Sequence, residues 1–477
     1  MHRRHRDCGL MRSATSGLAG RIAVLVPLLA SSGLLAAAPV RAQINPPEFA
    51  ARRQRAIEKV PGGLIALHAF SGFKHWDEAG FHQDPAFYYF TGLRNTHRAI
   101  LVLDGTSKES WLFVGPGRAA QSPDLTGLAA VVVDTGAVGQ SALGLDHVVS
   151  WDRFIPFIDG WRAAHPSMPL YADADGQTGG GLGTVSDPDG LAPIENPYLL
   201  WKAALHARWP DLEIRDAFPI VDAVRSVKAP GELALLKQAA TATAAGFWAG
   251  VHAIAPGHTQ RQVEGQVIAG CLSAGSTGLS LWPWVRSGPY TLGPTLFEAF
   301  ADYDNLNRTL RAGDVVRLDV GCDVGMYKGD FGRTIPVSGH FDAGQRETME
   351  LLNGAYLAGV AAMRPGSTPQ AVSAATAAYI TDHQQALKTP MAREAATAAL
   401  AHSDWPLHGL GLDMAEGAPA TFQAGNVVCY EPLFVAGGQG FFVEDTWVIT
   451  ASGHERVNPS LPYAPADIER AMRRSPS

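Results

Sequence analysis

The sequence predicts an α/β protein with two domains, the second of which consists of two similar halves. Short apolar segments bounded by Gly, Asp or Ser alternate with helical patterns in the first part of the chain. In the second part, a pattern of helix, turn, helix and strands occurs twice. The 477 residues, 46% hydrophobic and 17% charged, are sufficient for two cores. We expect domains at 43–224 and 225–477, preceded by a segment at 1–42 that is removed.

The N-terminal segment has the pattern of a secretory signal peptide. Five arginines within the first 21 residues precede an apolar run from Ile22 to about Ala38. Val40-Arg41-Ala42 then places small residues where a signal peptidase reads them, which predicts cleavage before Gln43. A retained membrane anchor is the alternative, but polar and small residues at 31–33 interrupt the run, which is short for a membrane span. The mature protein is therefore expected to be secreted or periplasmic, with no attachment to the membrane.

Charge and cysteine content narrow the possible partners. The chain has 38 Lys and Arg and 45 Asp and Glu, of which residues 1–42 hold six Arg and one Asp. The mature chain thus keeps 32 basic and 44 acidic residues, and its formal charge of −12 argues against nucleic acid or an anionic membrane as a partner. Only Cys271, Cys322 and Cys429 remain. Three distant cysteines form neither a disulfide framework nor a thiolate zinc site, although one disulfide is compatible with them.

The first domain is predicted to be a mixture of short strands and helices. Residues 43–60 form a basic, helix-like segment, residues 151–165 have helical spacing, and the Gly-, Asp- and Pro-rich residues 173–197 form a loop. Apolar segments bounded by turn residues predict four strands. These are Leu64–Phe70, Ala99–Leu103, Ser110–Val114 and Ala129–Val133.

The second domain contains an internal repeat. A helix at Gly231–His252 ends at a Pro-Gly pair, and Thr259 with Gln262 predicts a capping box for the next helix. The turn at 256–259 recurs at 365–368, again between two helical patterns. The further repeated pairs are strand 313–319 with strand 425–431, and return strand 329–337 with return strand 443–450.

Each half of the repeat places one acid at the end of its outgoing strand and one on its return strand. If the halves pack about a pseudo-twofold axis, these four acids converge. Buried carboxylates are costly unless they are paired or bound to metal, and Arg333 is the only regular basic candidate nearby. Two divalent cations would satisfy them, with His408 as a fifth ligand. The predicted ligands are Asp319, Asp330, His408, Glu431 and Glu444.

The segments around these ligands resemble those of metallopeptidase family M24, the "pita-bread" enzymes that include methionine aminopeptidase, prolidase and aminopeptidase P. Five motifs match in order, at 318–321, 329–334, 408–413, 430–432 and 443–445. Residues 83–92 and 225–232 are similar to the first domain and linker of aminopeptidase P and prolidase. The resemblance implies an N-terminal creatinase/aminopeptidase P-like α/β domain followed by a pita-bread domain.

The resemblance also implies roles for the ligands. Asp319 would bind one ion, Asp330 and Glu444 would bridge two, and His408 and Glu431 would bind the other. A water between the ions would be the nucleophile, with Glu431 as a proton shuttle. The implied cofactors are two divalent ions, manganese first, with cobalt or zinc as alternatives. The implied substrates are small peptides with a free N-terminus, often with proline second, and the implied assembly is a homodimer or homotetramer.

The residues that surround the ligands depart from the family pattern. Asp302 stands where a histidine is expected, Ala415 or Glu416 stands in place of another, and Phe442 replaces a basic residue. Such residues orient the peptide and stabilise the oxyanion, so Asp302 and Glu416 are candidate catalytic replacements. His402 and Asp404 are further candidates.

Three functions are therefore weighed. The first is a metallopeptidase, or a related amide hydrolase of altered specificity. The second is a creatinase-like C–N hydrolase that works without metal, against which the complete ligand set argues. The third is a binding protein that retains the fold without catalysis. An aromatic group at Trp282, Trp284 and Tyr290 either lines a substrate pocket or packs in the core.

Overall fold

The structure is a computed structural model of the whole chain. Its described residues are 44–69, 83–94, 96, 98–115, 135–173, 197–292 and 307–473. The predicted signal peptide at 1–42, the predicted strand at 129–133 and the candidate Asp302 lie outside these ranges. The domain boundary between 224 and 225 stays a prediction, since residues 41–477 form one compact unit.

The first part of the chain forms a six-stranded mixed sheet in the order β4-β3-β2-β1-β5-β6. Its strands are β1 (Leu64–His68), β2 (Ala99–Asp104), β3 (Ser110–Val114), β4 (His147–Ser150), β5 (Leu170–Ala172) and β6 (Ile214–Asp216). The three strands predicted within the described residues are confirmed. Strands β5 and β6 have only three residues each, which is too few for a recognisable alternation of apolar and polar residues.

Helices cover both faces of this sheet. They are α1 (Pro46–Glu58), α2 (Pro85–Thr91), α3 (Ala137–Leu143), α4 (Phe154–Ala164), α5 (Pro197–Arg208) and α6 (Phe218–Arg225). Strand β1 shows the division of its side chains between the faces. Ile65 and Leu67 pack with α1, α2 and α6, whereas Leu64 and Ala66 pack with α4 and α5.

The second part begins with the predicted helical pair. Its helices are α7 (Pro230–Ala253), α8 (Gln260–Ser273), α9 (Ala343–Ala361), α10 (Pro369–His383), α11 (Pro390–Ala401) and α12 (Pro465–Met472). The predicted capping box is confirmed, because Gln262 donates its backbone N–H to the Thr259 hydroxyl and accepts from the Thr259 N–H at 2.8 Å. Thr368 caps α10 at the equivalent position of the second half.

The pseudo-twofold arrangement is visible in the order of strands in the second part. Its strands are β7 (Gly278–Leu279), β8 (Trp284–Ser287), β9 (Val315–Val320), β10 (Cys322–Val324), β11 (Tyr327–Lys328), β12 (Phe331–Pro336), β13 (Leu407–Gly409), β14 (Val427–Tyr430), β15 (Leu433–Ala436), β16 (Gln439–Ile449) and β17 (His454–Arg456). The main sheet runs β13-β14-β16-β12-β9-β8. The two return strands, β12 and β16, therefore pair in the middle, with each outgoing strand outside its own return strand.

Two cysteines of the second part are joined, and the third is not. Cys271 in α8 and Cys322 in β10 form a disulfide that spans 51 residues, while Cys429 in β14 is a buried free thiol. This is one of the pairings that the three cysteines allowed. Among the described residues, no helix has the length and apolar character needed to cross a membrane.

Candidate metal centre

The central strands bring the predicted ligands together by their register. Gly332 in β12 lies opposite Asp319 on one side and opposite Glu444 on the other. Asp330 immediately precedes β12, and Glu431 immediately follows β14. Strand β13 delivers His408 from the edge of the sheet. All five predicted ligands thus come from the two outgoing and two return strands and from β13.

The five side chains form one cluster. His408 Nε2 lies 3.6 Å from Asp330 Oδ2, 3.6 Å from Glu431 Oε1 and 3.8 Å from Glu444 Oε1. Donor atoms of Asp319, Glu431 and Glu444 lie within 4.8 Å of one another. Glu444 belongs both to this group and to a second one that contains Asp330 and His408. The geometry therefore provides two adjacent groups that share a carboxylate.

The second group includes Cys429, which the sequence analysis did not single out. This residue lies opposite His408 in the β13–β14 pair and two residues before Glu431, so the alternation of β14 points both side chains to one face. Its Sγ lies 3.4 Å from the Thr446 hydroxyl. The signal was the period of two in a strand that ends in a ligand, but a cysteine in an apolar strand is ordinarily a packing residue.

Burial and mutual repulsion make the acid cluster unfavourable by itself. The side chains of Asp319, Asp330 and Glu444 are 5%, 4% and 1% exposed. Burial, then repulsion from the neighbouring acids, raises the pKa of Asp330 and of Glu444 well above the ordinary range. Burial also raises the pKa of Asp319 to about 6, against the opposing influence of Arg317. Cations would relieve this cost.

The donor atoms fit divalent metal ions. Asp319 Oδ1 and Glu444 Oε2 are buried and have no hydrogen-bond partner among the residues that the structure describes. Buried anionic oxygens of this kind need a donor or a cation. Four carboxylates and one imidazole are ligands that suit manganese, cobalt or zinc.

An arginine that the sequence analysis missed lies against the cluster. Arg317 Nη2 is 3.2 Å from Asp319 Oδ2 and 3.4 Å from Glu431 Oε2. The sequence pattern had indicated only Arg333, whose Nη2 instead donates to both carboxylate oxygens of Asp445, at 2.9 and 3.0 Å. The position of Arg317, two residues before Asp319 on the same strand, was the available signal.

Glu416 lies in an ion-pair network instead of the acid cluster. Arg225 Nη2 lies 2.6 Å from Glu416 Oε1, and Lys228 Nζ pairs with Glu416 Oε2. Burial alone would raise the pKa of Glu416, but the two cations hold it lowered to about 2. These contacts connect the segment after His408 to residues 225–228. The catalytic role of Glu416 stays a prediction.

The other candidates lie at the margin of the site. His402 and Asp404 are exposed in the segment between α11 and β13. Trp284 lies opposite Asp319, and the Arg317 guanidinium is 4.9 Å from its ring centroid. The Trp282 indole N–H donates to Glu264 Oε2 at 3.0 Å. Of the three aromatic residues, Trp284 is therefore the one linked to the acid cluster, because its ring packs on Arg317, which contacts the acids.

Comparisons with known proteins agree with this architecture. Residues 49–122 match the model of the aminopeptidase P N-terminal domain, and residues 234–451 match that of metallopeptidase family M24. The chain is 27% identical over 467 residues to Xaa-Pro aminopeptidase of Escherichia coli (strain K12), which covers 90% of this chain and 98% of that protein. It is 26% identical to Xaa-Pro aminopeptidase of Haemophilus influenzae, over 54% of this chain and 64% of that protein.

A solved structure has the same fold. Zinc-substituted Escherichia coli aminopeptidase P in complex with product superposes with a TM-score of 0.67 at 23% identity. The match covers 90% of this chain and 98% of that chain. The mixed α/β architecture with a second, pseudo-twofold part is therefore shared along nearly the whole chain.

Proposed function

Since this chain belongs to metallopeptidase family M24, we propose that it is an exported aminopeptidase that uses two divalent metal ions to release the N-terminal residue of peptides with proline in second position. The observation that carries the proposal is the convergence of Asp319, Asp330, His408, Glu431 and Glu444 on one buried cluster with unpartnered oxygens. The preference for proline is supported by the names of similar proteins from Escherichia coli and Haemophilus influenzae.

The five ligands would hold the ions in two adjacent groups that share Glu444. Bound divalent cations would lower the pKa of a water molecule and polarise the carbonyl of the scissile bond. Manganese is the first choice for this oxygen-rich donor set, with cobalt or zinc as alternatives.

Glu431 is the residue we assign to proton transfer. Its side chain is 19% exposed, whereas those of the other three acids are at most 5% exposed. A substrate that enters from solvent therefore meets Glu431 and the 20% exposed His408 first. Glu431 would accept a proton from the attacking water and deliver it to the leaving amine.

Export is supported by two independent features. Residues 1–42 have the composition of a signal peptide. The Cys271–Cys322 disulfide suits an oxidising compartment such as the periplasm or the extracellular space.

The test is metal content together with peptide hydrolysis, measured on the purified chain from residue 43. Elemental mass spectrometry should find about two manganese, cobalt or zinc ions per chain. Peptides that differ only in proline or alanine at the second position should show release of the first residue, with proline preferred. A chain that binds no metal, even after reconstitution, would rule out the proposal.

The same peptides decide a second candidate, a metal-dependent amide hydrolase of altered specificity. The observation that favours it concerns two positions near the cluster, 416 and 442, where residues that orient the peptide and stabilise the oxyanion are expected. Glu416 is committed to Arg225 and Lys228, and Phe442 supplies no charge. Metal-dependent cleavage without a preference for proline would support this candidate over the first.

A further inference from the structure

We propose that Arg317 is a positioning residue of the metal centre, and that it supplies from strand β9 the cation that position 442 of strand β16 lacks. The inference deepens the proposed function and rests on it. Position 317 lies outside the five matching motifs given above, and the assignment comes from the placement of its guanidinium against the acid cluster.

Register explains how an arginine on a different strand reaches this place. Thr334 in β12 lies opposite Arg317 in β9. On its other side, the Thr334 hydroxyl bonds to both the N–H and the C=O of Phe442 in β16. Positions 317 and 442 thus flank a single residue of the central strand. A long side chain from either position can extend over Thr334 toward the same space.

Aromatic rings fix the guanidinium in this space. Its central carbon lies 3.9 Å from the ring centroid of Phe442 and 4.9 Å from that of Trp284. Gly332 makes the arrangement possible, because a Cβ there would lie 2.5 Å from the Phe442 ring. Phe442 therefore does more than replace a basic residue, because its ring forms one wall of the site that holds Arg317.

The guanidinium selects which oxygen of each carboxylate faces the metal groups. Arg317 Nη2 contacts Asp319 Oδ2 and Glu431 Oε2. The other oxygen of Asp319, Oδ1, has no hydrogen-bond partner in the described ranges, and the other oxygen of Glu431, Oε1, faces His408 Nε2 at 3.6 Å. One donor therefore occupies the outer oxygens of two ligands from different strands and leaves the inner ones for the ions.

Three variants test this assignment. Arg317→Leu removes the cation, and Arg317→Leu combined with Phe442→Arg moves it to the other strand. Arg52→Leu is the matched control, because Arg52 is also fully buried, stacks on Tyr89 at 4.3 Å and pairs with two glutamates, far along the chain from the ligands. The readouts are manganese binding by titration calorimetry, and kcat and KM for a peptide with proline second.

Arg317→Leu should bind one of two manganese ions at least about tenfold more weakly and lose about 100-fold in kcat, with KM changed less. The double variant should recover most of both losses. Arg52→Leu should lower thermal stability but leave the manganese isotherm of the folded protein unchanged.

The outcomes separate the two proposals. Wild-type protein that binds none of manganese, cobalt and zinc overturns the proposed function and the role of Arg317 with it. Wild-type protein that binds manganese, together with an Arg317→Leu variant that equals it in affinity and kcat, overturns the role of Arg317 alone. If Arg317→Leu does not fold, the double variant provides the test. A double variant that folds but does not bind manganese tightly contradicts the assignment.

Discussion

Asp330 and Glu444 are the acids whose removal should affect metal binding and metal-free stability in opposite directions. Both are buried, and repulsion adds to burial in raising their pKa. Asp330→Asn or Glu444→Gln removes a proposed ligand and also removes a buried ionisable acid. We expect bound metal to fall below one ion per chain. In EDTA, each variant should be more stable than the wild type by on the order of 1–3 kcal/mol.

Elemental analysis and thermal unfolding in EDTA measure these two effects. Asp382→Asn is the control, because this exposed acid lies in α10 and should change neither quantity. Full metal content in Asp330→Asn would show that Asp330 is not a ligand.

Gly332 offers a second test at the scale of one residue. An added Cβ would lie 2.5 Å from the Phe442 ring, 2.7 Å from the Leu318 carbonyl oxygen and 3.1 Å from the Asp319 Cα. Gly332→Ala should therefore push apart the strands that carry the ligands, destabilise the protein by about 1–3 kcal/mol and weaken metal binding.

Gly160→Ala is the matched control, because no atom of another described element lies within 4 Å of a Cβ at that helical position. This variant should be neutral or stabilising by about 0.5–1 kcal/mol in thermal or urea unfolding. Equal effects of the two substitutions would contradict the packing argument.

The sequence indicated the acids of the cluster more clearly than it indicated the residues that surround them, for a physical reason. Asp319 and Glu444 stand out because carboxylates in apolar strands are costly, and their repetition in two halves makes coincidence improbable. Neither the cost of a buried carboxylate nor the internal repeat identifies the role of Arg317. Its role depends on which residues lie opposite it in β8 and β12, and strand register is not contained in the composition of a single strand.

At the scale of elements, the internal repeat predicted helices α7 and α8 and the two pairs of outgoing and return strands. It did not predict that β12 and β16 would pair in the middle of the sheet, which is what brings Asp330 and Glu444 together. Nor did it predict the Cys271–Cys322 pairing. These cysteines are 51 positions apart in the sequence, and only the packing of α8 beside β10 shows that they meet.

This disulfide leads to a prediction about stability and compartment. Closing a loop of 51 residues reduces the entropy of the unfolded chain, with an expected stabilisation of about 4 kcal/mol in the loop-entropy treatment. Replacing both cysteines with alanine should lower the unfolding free energy by up to that amount. Urea unfolding with and without reductant measures the effect in the wild type.

Thiol counting provides the independent check. The mature chain, denatured without reductant and labelled, should show one free thiol, that of Cys429. Three labelled thiols in protein recovered from its native compartment would contradict both the disulfide and the export that it supports.

At the scale of the whole molecule, one core cluster includes residues of both sheets, such as Leu101 in β2 and Val427 in β14. Polar contacts join the same regions. Arg225 contacts Glu416 and also Asp413, with 2.5 Å between Arg225 Nη2 and Asp413 Oδ2. The stability of the first part is therefore coupled to charges carried by the second.

Asp173 is the acid through which the stability of the first part should depend on pH. It follows β5, is 3% exposed, and its Oδ1 has no hydrogen-bond partner within the described part of the chain. Burial, and then the negative charges of Asp84, Asp216 and Asp413, raise its pKa to about 8, with Arg225 opposing them. The Asp84 carboxylate differs from that of Asp173 in its hydrogen bonds. It caps the N-terminus of α2 and accepts a hydrogen bond from the Tyr198 hydroxyl at 2.8 Å.

A carboxyl whose pKa is raised on folding binds its proton more tightly in the folded state than in the unfolded state. The stability that Asp173 contributes is therefore present below its ordinary pKa near 4 and is lost progressively as the pH rises toward about 8. Asp173→Asn keeps the shape of the protonated acid without the charge. The variant should gain at least about 1 kcal/mol over the wild type at pH 8, with the difference shrinking toward pH 4. Thermal unfolding of both proteins across this range measures it, and the exposed Asp211→Asn should follow the wild type throughout. A difference between Asp173→Asn and wild type that does not change with pH would mean that Asp173 gains no proton on folding.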